Sequence, residues 1–226
     1  MDFWSQPVFG VGITLILYML FYQLKQSVPF VNPFIKTTVL IIGLLVLLGI
    51  PYEDYEQGGR IIEFMLGPAT IALGVPIYRE AQKIKDNLGA ILLGNFTGSL
   101  MGLFSAGVLV WLMGGSRELI LSMMPTSATT PISVEIVANL GGIPSLGATF
   151  TALTGVLGAL IGPKILEICR IREDVAIGAA MGTSSHGIGT ARVVADSELQ
   201  GSISAFSMGV TGIMTSILAI PLYYLL

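Results

Sequence analysis

One histidine and its neighbours are the residues of this chain best able to do chemistry. His186 is the only histidine, and it lies inside the stretch Gly-Thr-Ser-Ser-His-Gly-Ile-Gly-Thr from Gly182 to Thr190. Its imidazole is either a satisfied core group or one that hydrogen-bonds a carboxylate or carries a coupling proton. The adjacent Ser184 and Ser185 suggest a hydrolase, but no Gly-x-Ser-x-Gly turn and no deep acidic partner accompany them. We therefore predict that the protein is not an enzyme.

Two further stretches contain a similar mixture of glycine, proline and hydroxyl residues. They run from Leu66 to Pro76 and from Pro125 to Ser133. Proline removes a backbone donor and glycine permits unwinding, so each of the three stretches can interrupt a helix. Interrupted helices can aim the positive ends of their dipoles inward, which suits an anion. The alternative is a set of kinks with hydroxyls bonded to the freed carbonyls, but three such stretches in one small chain favour a shared binding site.

These stretches supply the candidate site residues. We expect hydroxyls and helix ends to bind the substrate, and a few further polar residues to take part in coupling or gating. The candidate substrate-binding residues are Thr70, Ser127, Thr129, Thr130, Pro131, Thr183, Ser184, Ser185, His186 and Thr190. The candidates for coupling or gating are His186, Glu135, Arg192 and Asn95.

The shortage of deep acidic residues favours an anionic substrate. Glu63 and Glu135 come nearest to the middle of an apolar element, and each lies toward an element end. A cation antiporter would need a deeper carboxylate. Cys169 is the only cysteine, and no Cys/His ligand spacing occurs, so we predict no metal site. The absence of a P-loop argues against ATP as the energy source, and no cofactor is expected.

The composition indicates whether these residues lie in a water-soluble protein or in a membrane protein. Of 226 residues, 53% are hydrophobic and only 11% are charged, and the mean hydropathy is +0.82. An average soluble domain carries about 25% charged residues, so a soluble enzyme is nearly excluded. The net charge of −3 and the lack of a basic block argue against a nucleic-acid partner. We predict a multi-pass protein of the cell membrane, with the lipid bilayer as its surroundings.

The apolar runs predict an all-α, polytopic membrane helix bundle of about seven or eight elements. The connections between them hold most of the charge, and none is long enough for a soluble domain, so residues 1–226 form one membrane domain. The predicted elements are residues 7–24, 36–50, 60–78, 88–113, 118–139, 145–166, 175–193 and 201–226.

An offset of 115 residues places elements one to four on elements five to eight. It matches Gly67 with Gly182 and Gly74 with Gly189. We predict two related repeats, at residues 7–113 and 118–226, as in many transporters.

The basic residues bear on whether these repeats are inverted. If element five does not complete a crossing, the loops divide the Lys and Arg residues 8 to 3, against 6 to 5 if all eight elements span. The positive-inside rule prefers the first arrangement, which makes the repeats inverted and puts the N-terminus outside. A 7 to 4 split, with elements three and seven both re-entrant, stays open.

Small residues four apart predict close helix packing. Gly98-xxx-Gly102 and Gly158-xxx-Gly162 have this spacing. In lipid, such pairs let helix backbones approach, because packing drives helix association there. The same spacing can serve homo-oligomer formation, which we also expect.

Several motifs together resemble the LrgB/CidB family over nearly the whole chain. They are Leu-Gly-Pro-Ala-Thr-Ile-Ala-Leu-Gly-Val-Pro-Ile-Tyr from Leu66, Thr-Thr-Pro-Ile from Thr129, Gly-Gly-Ile-Pro-Ser from Gly141, and Gly-Thr-Ser-Ser-His-Gly-Ile-Gly-Thr-Ala-Arg from Gly182.

The resemblance implies two different functions. Bacterial members are described as holin-like or antiholin-like proteins that modulate murein hydrolase activity and autolysis, with a small membrane partner of the LrgA/CidA type. Plastid members similar in this domain transport glycolate and glycerate, and some bacterial pairs are linked to pyruvate uptake. The paired broken elements and the lone histidine favour secondary transport of a small monocarboxylate or 2-hydroxy acid. The holin-like function is the alternative.

Overall fold

The computed structural model describes residues 3–24 and 33–225, and every regular element in these two ranges is helical. Short 3-10 turns occur at Phe3–Ser5 and Met124–Ser127. The α-helices are α1 (Pro7–Leu24), α2 (Pro33–Leu48), α3 (Tyr52–Phe64), α4 (Leu66–Ala72), α5 (Gly74–Arg79), α6 (Ala81–Asp86), α7 (Leu88–Leu112), α8 (Arg117–Met123), α9 (Thr130–Leu140), α10 (Pro144–Ile168), α11 (Asp174–Val194) and α12 (Glu198–Leu225).

The chain divides into two compact units, Met1–Ala72 and Leu73–Leu226. This boundary falls inside the first predicted repeat and does not test the duplication, which stays a prediction.

The first unit is held together by a close approach of α1 and α3. Gly10 and Gly58 face each other, and a methyl group on Gly58 would come within 2.6 Å of the Gly10 Cα. The hydroxyls of Thr14 and Tyr55 lie 2.9 Å apart across the same contact. Most other side chains of α1 are exposed, as expected of a helix that faces lipid.

The second unit is a bundle around α7, α10, α11 and α12. Helices α11 and α12 form an antiparallel hairpin in which Gly178 lies against the backbone of Gln200. Helix α7 packs against α8, α11, α12 and the Met124–Ser127 turn. One apolar core of this unit consists of Leu103, Val110, Ile120, Leu121, Met124, Ile136 and Ala219.

Five stretches within the described ranges are long and apolar enough to cross a membrane: Pro7–Leu24, Tyr52–Arg79, Leu88–Leu112, Pro144–Ile168 and Glu198–Pro221. They confirm the prediction of an all-helical, multi-pass membrane bundle. Helix α11 has 21 residues but does not belong to this set. It is rich in glycine and hydroxyl residues, and many of them are buried in the protein.

Two connections that the charge pattern predicts between elements, residues 53–60 and 79–86, are largely helical in the structure. Residues 53–60 belong to α3, and residues 81–86 form α6. In α3, the acidic Glu53 and Asp54 occupy the first turn, and Arg60 pairs with Glu56 one turn earlier. Charges in these positions suit the helix dipole and i,i+4 pairing, so high polarity did not mean a loop here.

The three stretches predicted to interrupt helices behave differently. Element five is broken into α8 and α9, and Ala128 and Thr129 between them are extended, with ψ of 170° and 152°. Helix α11 is broken at His186, which has φ 37° and ψ −129°. Between α4 and α5, by contrast, Leu73 keeps helical torsions of −64° and −18°. Prolines 68 and 76 lie in the first turns of α4 and α5, where a missing N–H removes few helical bonds.

Candidate functional site

A groove of about 800 Å³ runs along α7, α10 and α11 in the second unit. Small and hydroxyl-bearing side chains make up much of its wall, which leaves room for a small solute. Three of the predicted site residues line it: Ser127, Thr183 and Ser184. The groove therefore joins two of the three stretches singled out in the sequence.

The Gly98-xxx-Gly102 pair on α7 makes this meeting possible. A methyl group on Gly98 would lie 2.6 Å from the Thr183 Cγ2 atom, and one on Gly102 would overlap Ser127. The prediction of close packing at this pair is confirmed. The partners of the two glycines are the two broken segments themselves.

A buried polar chain crosses the bundle beside the groove. The Thr183 hydroxyl donates to Asn95 Oδ1 at 2.8 Å, and the Thr211 hydroxyl donates to Thr183 Oγ1 at 3.3 Å. These residues lie on α11, α7 and α12, so the chain connects three helices. Asn95 is fully buried, and its Nδ2 has no hydrogen-bond partner among the described residues.

His186 occupies the break of α11. A non-glycine residue with positive φ is uncommon and costs on the order of 1–3 kcal/mol, so the surrounding contacts must hold it in place. The residue is 4% exposed, and its ring packs against Gly155 on α10. Its Nε2 atom is buried and has no partner within the described ranges.

Helix α10 accommodates α11 through a row of glycines. A methyl group on Gly155 would lie 2.5 Å from the His186 Cε1 atom, and one on Gly162 would lie 2.8 Å from the Met181 sulfur. Between them, Gly158 lies against Ser185. These contacts confirm the close packing predicted from Gly158-xxx-Gly162 and extend it by one turn to the histidine.

The remaining predicted residues of the second unit lie around the groove or on its outside. The Thr190 hydroxyl donates to the His186 carbonyl at 2.8 Å and lies 2.8 Å from the Ser204 hydroxyl. The hydroxyls of Ser184 and Ser185 are 3.1 Å apart. Thr129, Thr130 and Pro131 begin α9 and do not line the groove.

Of the other predicted residues, two are exposed and a third is partly exposed. Thr70 lies on α4 of the first unit, and Glu135 lies on the exposed side of α9. Arg192 is 39% exposed and forms an ion pair with Asp196 at 2.6 Å.

The groove carries little charge. Among the residues that the structure describes, Glu173 is the only charged side chain in its wall, and no basic side chain lies there. The structure therefore lends no direct support to an attractive charge for an anion, and the polar side chains of its wall are mainly hydroxyls. In the described part of the chain, no three His, Cys, Asp or Glu residues come together as metal ligands.

Sequence reasoning missed several polar residues at this site. Thr97 and Thr154 line the groove, and each hydroxyl bonds to a carbonyl of its own helix. Thr151 donates to Ser133 at 2.9 Å and so connects α10 with the segment after the second break. The one feature of the sequence that pointed to Thr97 is its position next to Gly98 of the small-residue pair.

The fold and the groove define a class: a multi-pass membrane protein in which the second unit contains broken helices beside a groove lined mainly by small and apolar side chains, with several hydroxyls among them. The LrgB-like family matches residues 14–225, and the chain belongs to this family, as its motifs predicted.

The relatives cover nearly the whole chain. The holin-like protein CidB of Staphylococcus aureus (strain Mu50) is 30% identical over 228 aligned positions, which cover 100% of this chain and 99% of that protein. The Bacillus subtilis (strain 168) proteins YxaC and YwbG, both called uncharacterized, are 35% and 36% identical over 90% and 92% of this chain and 90% and 93% of their own lengths. No solved structure matches the chain.

Proposed function

We propose that this protein is a holin-like protein of the cell membrane, which alters membrane permeability and so modulates murein hydrolase activity and autolysis. The observation that carries the proposal is the full-length similarity to proteins named holin-like protein CidB. The five apolar spans are consistent with action inside the bilayer. A second copy of the chain, or a small membrane protein of the LrgA/CidA type, belongs to this proposal as partner.

Dye release from liposomes tests the holin-like function. The purified chain, alone and together with a small LrgA/CidA-type protein, is reconstituted into vesicles that hold fluorescent dyes of increasing size. A holin-like protein is expected to release dyes much larger than a monocarboxylate. Vesicles without protein give the baseline, and retention of every dye under both conditions would contradict the proposal.

The second candidate function is secondary transport of a small monocarboxylate or 2-hydroxy acid, such as pyruvate, glycolate or glycerate. The groove favours it, because two interrupted helical segments meet there and place Ser127 and Thr183 on one wall. Irregular backbone at membrane depth persists only where protein buries it or where it lines a wet cavity. A groove of about 800 Å³ also admits a molecule of this size with its water.

Uptake of labelled carboxylates by proteoliposomes tests the second candidate. Thr183→Val keeps the side-chain volume but removes the hydroxyl that bonds to Asn95. We expect this variant to lower uptake at least about tenfold, on the scale of a lost polar contact in a binding site. The matched control is Thr149→Val on α10, whose hydroxyl bonds to the Ser145 carbonyl of its own helix and to no other described residue. Equal loss in both variants, or no uptake by the wild type, would count against transport.

A further inference from the structure

Helix α11 turns back on itself at its break. The carboxylate of Asp174, in its first turn, accepts hydrogen bonds from Ser197 and Gln200, which follow its last turn. A straight helix of 21 residues would hold these two ends about 30 Å apart. The half after the break is the antiparallel partner of α12, and a methyl group on its Gly189 would lie 2.7 Å from the Met181 carbonyl of the first half. Both ends of α11 therefore lie at the same end of the bundle.

The broken element five turns back in the same way. Its arms are α8 and α9, and the extended Ala128 and Thr129 form its tip. The N–H of Ile143, just after α9, donates to the Ser122 hydroxyl of α8 at 2.7 Å. The chain that leaves α9 has therefore returned to α8. We call α8 and α9 the first hairpin, and α11 the second hairpin.

The two hairpins enter the bundle from opposite ends and meet near its middle. On α10, Gly147 lies against the first hairpin, whereas Gly155 and Gly162 lie against the second. On α7, Gly98 contacts the second hairpin and Gly102, one turn later, contacts the first. One helical turn rises only about 5.4 Å, so both hairpins reach the same depth.

The hairpins also correspond in sequence. An offset of 57 residues places Met-Pro-Thr-Ser from Met124 on Met-Gly-Thr-Ser from Met181, and Thr-Gly from Thr154 on Thr-Gly from Thr211. Each hairpin is followed by one long helix, α10 or α12. The chain thus contains a hairpin–helix unit twice, both times within the second of the two repeats predicted from the sequence. Because the hairpins enter from opposite ends, the two units are inverted.

The basic residues orient these units in the membrane. Of the eight Lys and Arg residues from Leu73 to Leu225, only Arg117 lies at the end where the first hairpin begins, and it stacks on Tyr223 near the end of α12. The other seven lie at the end where the second hairpin begins and ends: Arg79, Lys83, Lys85, Lys164, Arg170, Arg172 and Arg192. The positive-inside rule puts that end in the cytoplasm.

The groove runs from the cytoplasmic end to the tips of the hairpins. Asn87 and Glu173, which directly precede α7 and α11, line it at the cytoplasmic end. Ser127 and Ser184, close to the two tips, line its deep end. Beyond Ser127 the space is filled by Met124 of the first hairpin, which is 2% exposed and packs against α7. The groove therefore has a cytoplasmic mouth and a floor at the first hairpin.

We infer that the groove is a vestibule that admits small polar solutes from the cytoplasm, and that the first hairpin is the barrier between this vestibule and the outside. Ser127 and Ser184 are equivalent positions of the two inverted units, and each brings a hydroxyl to the deep end from its own side of the membrane. The inference concerns access to the groove and rests on neither candidate function.

Thiol labelling from each side of the membrane tests the inference. Cys169 is the only cysteine, so Cys169→Ala gives a cysteine-free background for single-cysteine variants of the full chain. A membrane-impermeant maleimide is added to intact cells or to inside-out vesicles, and a permeant maleimide then measures the total reactive thiol.

Four exposed positions that flank the hairpins report their topology. We expect Ser116→Cys and Ser145→Cys, on either side of the first hairpin, to be labelled from the outside. Glu173→Cys and Asp196→Cys, on either side of the second, should be labelled from the cytoplasm. Labelling of either pair from opposite sides overturns the hairpins, and reversal of both pairs overturns the orientation.

Two positions in the groove report access. Ser184→Cys and Thr154→Cys should be labelled at least about tenfold faster from the cytoplasm than from the outside, because only a hydrated thiolate reacts. The matched control is Ser105→Cys on α7, which is exposed but does not line the groove, and which should be labelled slowly from both sides.

Three results overturn the vestibule. They are equal rates from the two sides, a faster rate from the outside, and groove rates no higher than that of Ser105→Cys, which would mean that lipid fills the groove. Should Ser184→Cys not fold, Thr154→Cys alone decides. The rates are measured without dye release or carboxylate uptake, so the failure of either candidate function leaves this outcome unchanged.

Discussion

The stretches around Gly67 and Gly182 have similar compositions but different backbone conformations. Both combine glycine with threonine, and an offset of 115 residues aligns them. The stretch with two prolines keeps helical torsions at Leu73, whereas the one without proline breaks at His186. Gly67 and Gly74 have open space around them, but Gly182 and Gly189 lie against backbone atoms. Close packing, rather than proline content, accompanies the break.

This difference shows what keeps a strained residue in place. The strain of the positive φ at His186 must be offset by surrounding contacts. The Thr190 hydroxyl bonds to the His186 carbonyl, and the glycines of this stretch and of α10 make close contacts across α10, α11 and α12. The stretch around Gly67 has no glycine contacts of this kind, and its backbone keeps helical torsions at Leu73.

The largest effect expected from this comparison is on stability. Gly182→Ala puts a methyl group into the Ser204 backbone and should destabilise the protein by about 1–3 kcal/mol or more, since backbone cannot move aside. Gly67→Ala, its counterpart at the 115-residue offset, should be neutral or stabilising by up to about 1 kcal/mol, because alanine is the better helix former. Thermal unfolding in detergent measures both. Equal destabilisation would mean that the two stretches are equally packed.

A smaller effect is expected from the polar chain beside the break. Asn95→Leu removes the acceptor of the Thr183 hydroxyl, whereas Thr183→Val removes both the donor to Asn95 and the acceptor of Thr211. The double variant removes the whole contact between Asn95 and Thr183. Interhelical hydrogen bonds in membrane proteins are worth about 0.6 kcal/mol on average and up to about 1.7. We therefore expect a coupling free energy of about 1 kcal/mol from the double-mutant cycle.

Thr97→Val provides the control for that cycle, because the Thr97 hydroxyl bonds to carbonyls of its own helix and, within the described ranges, to nothing else. Its combination with Asn95→Leu should be additive. A coupling as large as that of Thr183 would show that the measured term is general packing.

The sequence was informative where one physical preference dominates. Low charge predicted the membrane, the apolar run from residue 7 to 24 predicted α1, and the mixture of glycine and hydroxyls predicted the breaks near Ser127 and His186. The family motifs predicted the family.

Prediction from the sequence failed where the local structure depends on residues that are distant in the chain but close in space. Nothing in the stretch from Leu66 to Pro76 shows that its prolines fall in first turns, and nothing near Thr154 shows that α10 borders a groove. The partner of each glycine depends on which helix packs against it, so Gly98 was read only as a packing residue, although its partner is Thr183.

The smallest effect concerns the arginines that follow the two compared stretches. Arg79 pairs with Glu198 at 3.3 Å and Arg192 pairs with Asp196 at 2.6 Å, and both pairs are exposed to solvent. Exposed pairs contribute little, so we expect Arg79→Gln and Arg192→Gln to change stability by less than about 1 kcal/mol each.

If either arginine steers an anion toward the groove, its variant should lower uptake more at low salt than at high salt, because salt screens long-range attraction. Carboxylate uptake measured at two ionic strengths tests whether either arginine attracts the anion. Since each guanidinium already has an acidic partner, we expect changes within about twofold at both.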